Sequence, residues 1–208
     1  MCDFIIFDSK TKHLRVNKMK QAKLLTEAEF KRLTAVINSL RYSTRNHTIV
    51  ALSFYAGLRA CEIAELKVSD VFDPDGNVKD TIYLSSSQTK GSDSCTVLVN
   101  SKLQKQLSKY AAQYPQHVTK LDAKLIFSAK RRGFSAQTIV NLFQRLYACA
   151  GIQGASSHSG RRQFVTKLAD QGINVRLVQS LARHKHLSTT QRYIDLNENK
   201  LRSAIELI

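Results

Sequence analysis

Strand-like sequence is confined to one stretch of this chain, and apolar residues at helical spacing dominate on both sides of it. Three short β-branched or alternating segments occur there: Val68 to Phe72, Thr81 to Leu84, and Thr96 to Val99. The first two are separated by Asp73-Pro74-Asp75-Gly76, a strong turn signal, and a polar loop from Ser85 to Cys95 precedes the third. The pattern predicts a mainly α fold with a small three-stranded antiparallel β-sheet inserted among the helices.

The helical segments carry their own start and stop signals. Thr26 and Glu29 have the spacing of a capping box, which predicts that the first helix begins there. Gly57, Gly151 and Gly172 predict the ends of later helices, because glycine adopts the left-handed conformation that commonly closes a helix. Helices after the first are expected over residues 48–55, 59–66, 101–113, 135–150, 159–170, 175–182 and 198–207.

The charge balance predicts a polyanionic partner. Lysine and arginine total 32 against 16 acidic residues, which gives a net charge of +16 and a pI near 9.9. Nucleic acids and anionic membrane surfaces would both attract such a chain. No apolar run approaches the roughly 18 residues that span a bilayer, and Phe4-Ile5-Ile6-Phe7 is too short for a signal peptide. We therefore expect a cytoplasmic, nucleoid-associated protein.

Length and residue distribution predict one domain with an appendage. A hydrophobic content of 43% over 208 residues is sufficient for a core. Residues 1–23 differ from the rest, because their second half has basic residues and no acidic ones, which predicts a basic N-terminal arm before a domain over 24–208. The basic residues of the arm are Lys10, Lys12, Arg15, Lys18, Lys20 and Lys23. The four scattered cysteines are typical of reduced structural thiols: Cys2, Cys61, Cys95 and Cys149.

Several residues could handle a phosphate group. His158 and Arg161 lie three residues apart at a predicted helix start, where backbone N–H groups add positive charge. Taken alone, such a pair is more typical of an ordinary surface. Arg59 lies in an apolar run, where its charge is costly unless it is paired, for example with Glu62, or reaches a site.

Other candidates have equally ordinary alternatives when taken singly. Lys90 lies in the polar loop between two predicted strands, which is typical of a solvated hairpin tip. Tyr193 has the spacing of a packing residue. The basic run Lys130, Arg131 and Arg132, before Gly133, is either a phosphate-positioning patch or a solvated turn.

Together these residues resemble the tyrosine recombinases of the phage-integrase type. Ala56 to Leu66 resembles their first arginine box, and His158-x-x-Arg161 resembles the second. Leu181 to Tyr193, which contains His184, is similar to the last box, and Thr89-Lys90-Gly91 lies where the family's lysine-bearing β-hairpin belongs. The resemblance covers roughly residues 24–208 and implies the fold of DNA breaking-rejoining enzymes.

The resemblance implies a role for each matched residue. Arg59 and Arg161 would clamp the scissile phosphate while Tyr193 attacks phosphorus, which yields a 3′-phosphotyrosine and a free 5′-hydroxyl without metal, cofactor or ATP. Lys90 would be the general acid for the leaving oxygen. His158 would exchange a proton with Tyr193, His184 would hydrogen-bond the phosphate, and Glu62 would orient its neighbours. Further basic residues are expected to contact DNA: Lys130, Arg131, Arg132, Arg162 and Arg183.

The chain departs from the family pattern at three points. Arg183 occupies a position that is usually glycine, which predicts either strain or a different helix cap. Gly160 stands where leucine is common. The stretch before residue 24 is too short for the usual N-terminal DNA-clamping domain, so we expect a small form in which the basic arm supplies part of the grip.

The sequence therefore predicts a site-specific recombinase that integrates, excises or inverts duplex DNA. The resemblance implies a tetramer on paired sites, held together by the apolar C-terminal helix (Leu201, Ala204, Ile205, Leu207 and Ile208), with possible DNA-bending or directionality proteins as further partners. Two alternatives stay open: a type IB topoisomerase-like enzyme that relaxes DNA, and a DNA-binding accessory or regulatory protein with impaired activity.

Overall fold

Helices account for most of the ordered secondary structure in a computed structural model that describes residues 21–89, 93–128, 132–193 and 205–206. The elements in chain order are α1 (Glu27–Asn38), α2 (Ser43–Ala56), α3 (Ala60–Glu65), α4 (Val68–Val71), β1 (Thr81–Leu84), β2 (Cys95–Leu98), α5 (Ser101–Gln113), α6 (Pro115–Val118), α7 (Ala136–Cys149), α8 (Ser159–Asp170), α9 (Val175–Ala182) and α10 (Leu187–Gln191). None of the described helices is both long enough and apolar enough to cross a membrane. The prediction of a mainly α fold is confirmed.

Helix α2 is the centre of the packing. Most of its side chains are buried, and it contacts α1, α3, α5 and α8. Apolar or small residues on nearly every side suit a helix that is surrounded by others. It ends at Gly57, which adopts the left-handed conformation (φ 62°, ψ 25°) as predicted. The chain leaves this turn directly into Leu58 and Arg59, so the end of α2 determines where Arg59 lies.

The predicted capping box of α1 is confirmed. The backbone N–H of Glu29 donates to Thr26 Oγ1 (3.2 Å), and the N–H of Thr26 donates to Glu29 Oε2 (3.0 Å). Leu33 and Ile37 then bury the apolar face of the helix. Glu29 also pairs with Lys23 at 2.6 Å, which ties the start of α1 to the preceding segment.

The β-sheet has two strands in the described residues, and the prediction of three was wrong. Thr81–Leu84 and Cys95–Leu98 pair antiparallel, with Thr81 opposite Leu98. Val68–Val71, predicted as part of a strand, is a single helical turn in which Val68 and Val71 are both buried. The Asp70 carboxylate accepts the N–H of Lys67 (2.8 Å) and so caps this turn. Within residues 68–72, Phe72 alone forms an isolated β-bridge, to Val78 on the other side of the predicted turn.

The segment before α1 lies against α8. The N–H of Lys23 donates to the carbonyl of Gly154 (3.1 Å), and the N–H of Leu25 donates to Gln163 Oε1 (2.9 Å). Arg162 on α8 donates to the carbonyl of Ala22. Residues 21–25 are therefore held beside the start of α8. Most of the predicted basic arm, the C-terminal helix apart from residues 205–206, and Cys2 lie outside the described residues.

Gly160 lets α8 approach α2 closely. A Cβ atom at this position would lie 2.3 Å from Ser53 Oγ and 2.6 Å from Phe54 Cδ2, which is well inside normal contact distance. The glycine that departs from the family pattern therefore has a packing reason. It brings the start of α8 directly against the centre of α2.

We expect Gly160→Ala to lower the free energy of unfolding by about 1–3 kcal/mol, because the added methyl group overpacks the contact between α8 and α2. Chemical denaturation monitored by circular dichroism measures the change. Lys167→Ala, at an exposed position of the same helix, is the control and should have little effect. Equal stability of the Gly160→Ala variant and the parent would contradict the packing argument.

Candidate active site

Two helix ends and one connecting segment converge beside the turn at Gly57. They are the C-terminus of α2, the N-terminus of α3 and the segment that joins α9 to α10. The start of α8 completes the arrangement, because Arg161 lies in its first turn and packs against α2. Residues far apart in the chain therefore meet where α2 ends.

Glu62 is the buried carboxylate of this region. Glu62 is 1% exposed, and its Oε1 atom accepts a hydrogen bond from Arg59 Nη1 at 2.6 Å. Oε2 accepts the backbone N–H of Arg59 (2.8 Å) and contacts Arg183 Nη2 at 3.4 Å. Burial by itself raises the pKa of Glu62. The charges of Arg183, Arg59 and Arg161, with the Arg59 N–H, outweigh that effect, so the pKa is lowered and Glu62 is ionised at neutral pH.

Arg161 is also buried, with 5% of the residue exposed. Its Nη1 donates to the carbonyl of Gly57 (2.7 Å), and its Nη2 donates to the carbonyl of Ala182. Burial, followed by the charges of Arg59 and Arg183, lowers the pKa of Arg161 to about 9. The guanidinium group is therefore still protonated at neutral pH, and two backbone carbonyls fix its plane.

His184 is a buried and neutral histidine. Its Nδ1 lies 2.9 Å from Thr190 Oγ1, and its ring stacks on the ring of Tyr193, with centroids 5.9 Å apart and planes 18° apart. Burial, and then the charges of Arg161, Arg59 and Arg183, lowers the pKa of His184 to about 4. The Thr190 contact holds the ring in one orientation.

One open cleft of about 470 Å³ brings the predicted residues together. Arg59, His158, Arg161, His184 and Tyr193 all line it. His158 is exposed at the N-cap of α8, and Tyr193 is half-buried just after α10, with its N–H donating to the carbonyl of Thr190 (2.9 Å). The other lining residues are Gln21, Ala22, Gly154, Ser156, Arg162, Thr189 and Arg192.

Three predicted residues, Lys90, Lys130 and Arg131, lie outside the described residues. Arg132 is exposed beside that gap, and its carbonyl accepts the N–H of Ser128 (2.6 Å). Arg162 lines the cleft and donates to the carbonyl of Ala22, and its contact with DNA stays a prediction.

The prediction that Arg183 contacts DNA does not match the position of its side chain. Its side chain is 6% exposed and is directed into the protein toward Glu62 and the end of α2. The sequence could not reveal this, because a basic residue in a basic segment is normally solvated.

Two residues of the site were not foreseen from the sequence. Thr190 orients His184, and Arg192 adds a further positive charge to the cleft wall, next to Tyr193. Their position between the histidine and the tyrosine of the last box is the signal that could have identified them. In the described part of the chain, no group of three or more His, Cys, Asp or Glu residues could hold a metal ion.

The low pKa of His184 predicts that the protein loses stability in mild acid. Because the folded-state pKa lies below the ordinary value of 6.5, the unfolded chain binds the proton more readily, and stability is lost as the pH falls from 6.5 toward 4. In His184→Asn, the stability difference between pH 7 and pH 4 should shrink by about 2–3 kcal/mol. Urea unfolding at a series of pH values measures it.

Thr190→Ser is the control for that experiment, since it keeps the hydroxyl group against Nδ1 and should retain the parent's pH dependence. A His184→Asn variant with the same loss of stability in acid as the parent would show that His184 is not the group responsible.

Comparison with known proteins agrees with this geometry. The profile of the phage integrase family matches residues 23–200. Tyrosine recombinase XerA of Pyrococcus horikoshii is 29% identical over 205 residues, which covers 96% of this chain and 66% of that protein. A crystal structure of XerA recombinase has a TM-score of 0.70 at 30% identity, and covers 90% of this chain and 66% of that one.

A structure of the Tn1549 transposon integrase in complex with a circular intermediate DNA has a TM-score of 0.73 at 16% identity, and covers 92% of this chain and 67% of that one. At that identity, the likeness concerns the fold alone. The chain spans about two thirds of the length of these relatives. Since the family profile covers most of the sequence and the fold agrees with it, the chain belongs to the phage integrase family.

Proposed function

We propose that this protein is a site-specific tyrosine recombinase that cuts and rejoins duplex DNA through a covalent 3′-phosphotyrosine intermediate. One observation carries the proposal: a single cleft brings together the two arginines, two histidines and one tyrosine that match the family boxes. The similarity to XerA, whose name is that of a tyrosine recombinase, supports the same activity.

The two arginines would stabilise the phosphate as it gains charge. Arg161 uses two N–H groups on the carbonyls of Gly57 and Ala182, which leaves others for a non-bridging oxygen. Arg59 is anchored by Glu62, and its side chain is 27% exposed. Cations held in this way need little rearrangement when a fifth oxygen bonds to phosphorus, so they favour the transition state over the ground state.

Tyr193 would supply the nucleophile. As its oxygen bonds to phosphorus, the bond to the 5′-oxygen breaks, and the phosphodiester energy is kept in the enzyme–DNA link. A free tyrosine is a poor nucleophile at neutral pH, so a base must accept its proton. The exposed His158 on the same cleft is the proposed acceptor, and Lys90 is the proposed general acid for the leaving oxygen.

His184 would act as a neutral hydrogen-bond donor. If its Nδ1 accepts from the Thr190 hydroxyl, the ring proton resides on Nε2, which can donate to the phosphate. A neutral ring avoids a further positive charge beside the arginines. The low pKa that burial and the neighbouring guanidinium groups produce keeps the ring neutral at neutral pH.

Duplex DNA is the proposed partner. The net charge of +16 and the basic cleft favour it, and the Tn1549 transposon integrase, which has the same fold, is solved in complex with a circular intermediate DNA. The proposal includes four further expectations. They are a tetramer on paired sites, contacts through the C-terminal helix, accessory DNA-bending proteins, and a cytoplasmic, nucleoid-associated location.

Covalent trapping tests the nucleophile. A pool of nicked suicide duplexes with a randomised core is incubated with the protein in EDTA, and adducts are resolved on denaturing gels. We expect an adduct with the parent and with Tyr83→Phe, a matched change at an exposed tyrosine, and none with Tyr193→Phe. The Arg161→Ala variant should give at least about a hundredfold less adduct, because a transition-state charge is left unstabilised.

An adduct that persists in Tyr193→Phe would contradict the nucleophile assignment. Formation of no adduct by the parent would favour a DNA-binding accessory protein. If adducts form, a two-site plasmid distinguishes the remaining possibilities: recombinant products support the proposal, and relaxation of supercoils without them indicates a topoisomerase-like enzyme.

The basic arm should strengthen binding to DNA. We expect removal of residues 1–20, which leaves the contacts of Ala22 and Lys23 intact, to weaken DNA binding and to flatten its dependence on salt. The logarithmic salt slope should fall by about 0.9 for each phosphate that the arm no longer neutralises. Fluorescence anisotropy at several salt concentrations measures both the affinity and the salt slope. A full-length variant with glutamine at the five basic positions before residue 21 is the control for chain length. Unchanged affinity would contradict the role of the arm.

A further inference from the structure

Arg183 is held in a strained backbone conformation. Among the described residues, it alone of the non-glycines has a positive φ (55°, with ψ 46°), at the C-cap of α9. Side chains with a Cβ atom avoid this left-handed region, and glycine would occupy it without strain. Strain of this kind persists only where the surrounding contacts overdetermine the conformation, and it is concentrated at functional sites.

The contacts that hold Arg183 are made by its guanidinium group. Nη1 donates to the carbonyls of Ala56 (3.2 Å) and Leu181 (3.3 Å), and Nη2 donates to the carbonyl of Gly57 (3.1 Å). Nη2 also reaches Glu62 Oε2 at 3.4 Å. The charge is therefore buried between the C-terminus of α2, whose orphan carbonyls attract cations, and one carboxylate.

Glu62 connects Arg183 to the arginine that faces the cleft. The carboxylate accepts from Arg59 through both of its oxygens, at 2.6 Å from Nη1 and 2.8 Å from the backbone nitrogen. Arg183 touches the oxygen that receives the Arg59 N–H. With Arg183 in place, each carboxylate oxygen has a guanidinium partner, so both oxygens are held.

We propose that Arg183 is a positioning residue that locks the Glu62 carboxylate and thereby orients Arg59 toward the phosphate. The inference rests on the proposed function, because orientation of Arg59 matters only if the cleft receives a phosphodiester. Arg183 does not act as a DNA contact, since its side chain is directed away from solvent. Nor does helix termination require it, because glycine would end α9 at lower steric cost.

A double-mutant cycle tests whether Arg183 acts through Glu62. Single-turnover cleavage of a nicked duplex selected by trapping, and anisotropy with the same duplex, are measured for Arg183→Gly, Glu62→Gln and the double variant. Arg176→Ala, an exposed arginine on α9, is the control for loss of one positive charge. Arg183→Lys is the conservative variant, which keeps the charge but not the fork of donors.

We expect Arg183→Gly to cleave at least about tenfold more slowly while its DNA affinity changes less than about threefold. In the Glu62→Gln background, Arg183→Gly should slow cleavage by less than about twofold, because the carboxylate through which Arg183 acts is already lost. Arg183→Lys should recover part of the rate, and Arg176→Ala should cleave like the parent.

The pH profile supplies a readout that a purely structural role would not change. Burial raises the pKa of Glu62, and Arg183 is foremost among the cations that more than offset it, ahead of Arg59 and Arg161. Cleavage that needs ionised Glu62 is lost as the pH falls through this pKa. Removal of Arg183 should therefore move the acid limb of the rate profile to higher pH, and Arg176→Ala should leave it unchanged.

Four results would overturn the inference: parent-like cleavage by Arg183→Gly, losses that multiply in the double variant, an acid limb that does not move, or a loss confined to DNA affinity. If Arg183→Gly does not fold, the cycle is run with Arg183→Asn under the same criteria, because asparagine removes the charge and tolerates the left-handed conformation. Absence of any adduct with the parent overturns the proposed function and this inference with it, whereas adducts of normal yield with an unchanged Arg183→Gly rate overturn the positioning role alone.

Discussion

The ion pair of a buried carboxylate with its surrounding arginines is the interaction on which the rest of the site depends. Glu62 is 1% exposed, and an isolated charge at that depth would be costly unless it were paired. Arg59 and Arg183 provide the pairing through different oxygens of the carboxylate. The turn at Gly57 is followed by Arg59 and then by the first turn of α3, which contains Glu62.

The same region must hold several positive charges close together. Arg161 and Arg183 both donate to the carbonyl of Gly57, so two guanidinium groups converge at the C-terminus of α2, where the helix dipole is negative. Gly160 sets the distance, because it allows α8 to lie directly on α2 and Arg161 is the next residue along. The Glu62 carboxylate offsets part of the positive charge. A phosphodiester would offset a further part, as the proposed function requires.

Local sequence signals determined where most of the helices lie in the chain. The capping box at Thr26, the glycine at position 57 and the apolar periodicity predicted several helices within a few residues of their bounds, and α5, α8 and α9 at their observed bounds. Those signals act between near neighbours in the chain. The spacing of the family boxes also identified five of the residues that line the cleft. The prediction of a strand from Val68 to Phe72 was wrong. β-Branched residues favour a strand, but the Asp70 cap and the burial of Val68 and Val71, three residues apart, favour a helical turn here.

Only the tertiary structure decided which basic side chains face solvent and which are buried. Arg183 and Glu62 are 121 residues apart, and Arg161 and Gly57 are 104 apart, so no local pattern records their contact. Desolvation and charge pairing depend on what surrounds a side chain in three dimensions. The sequence by itself determined the residues available to handle a phosphate, and the packing of α2, α3, α8 and α9 decided that one arginine supports the site from within instead of touching its ligand.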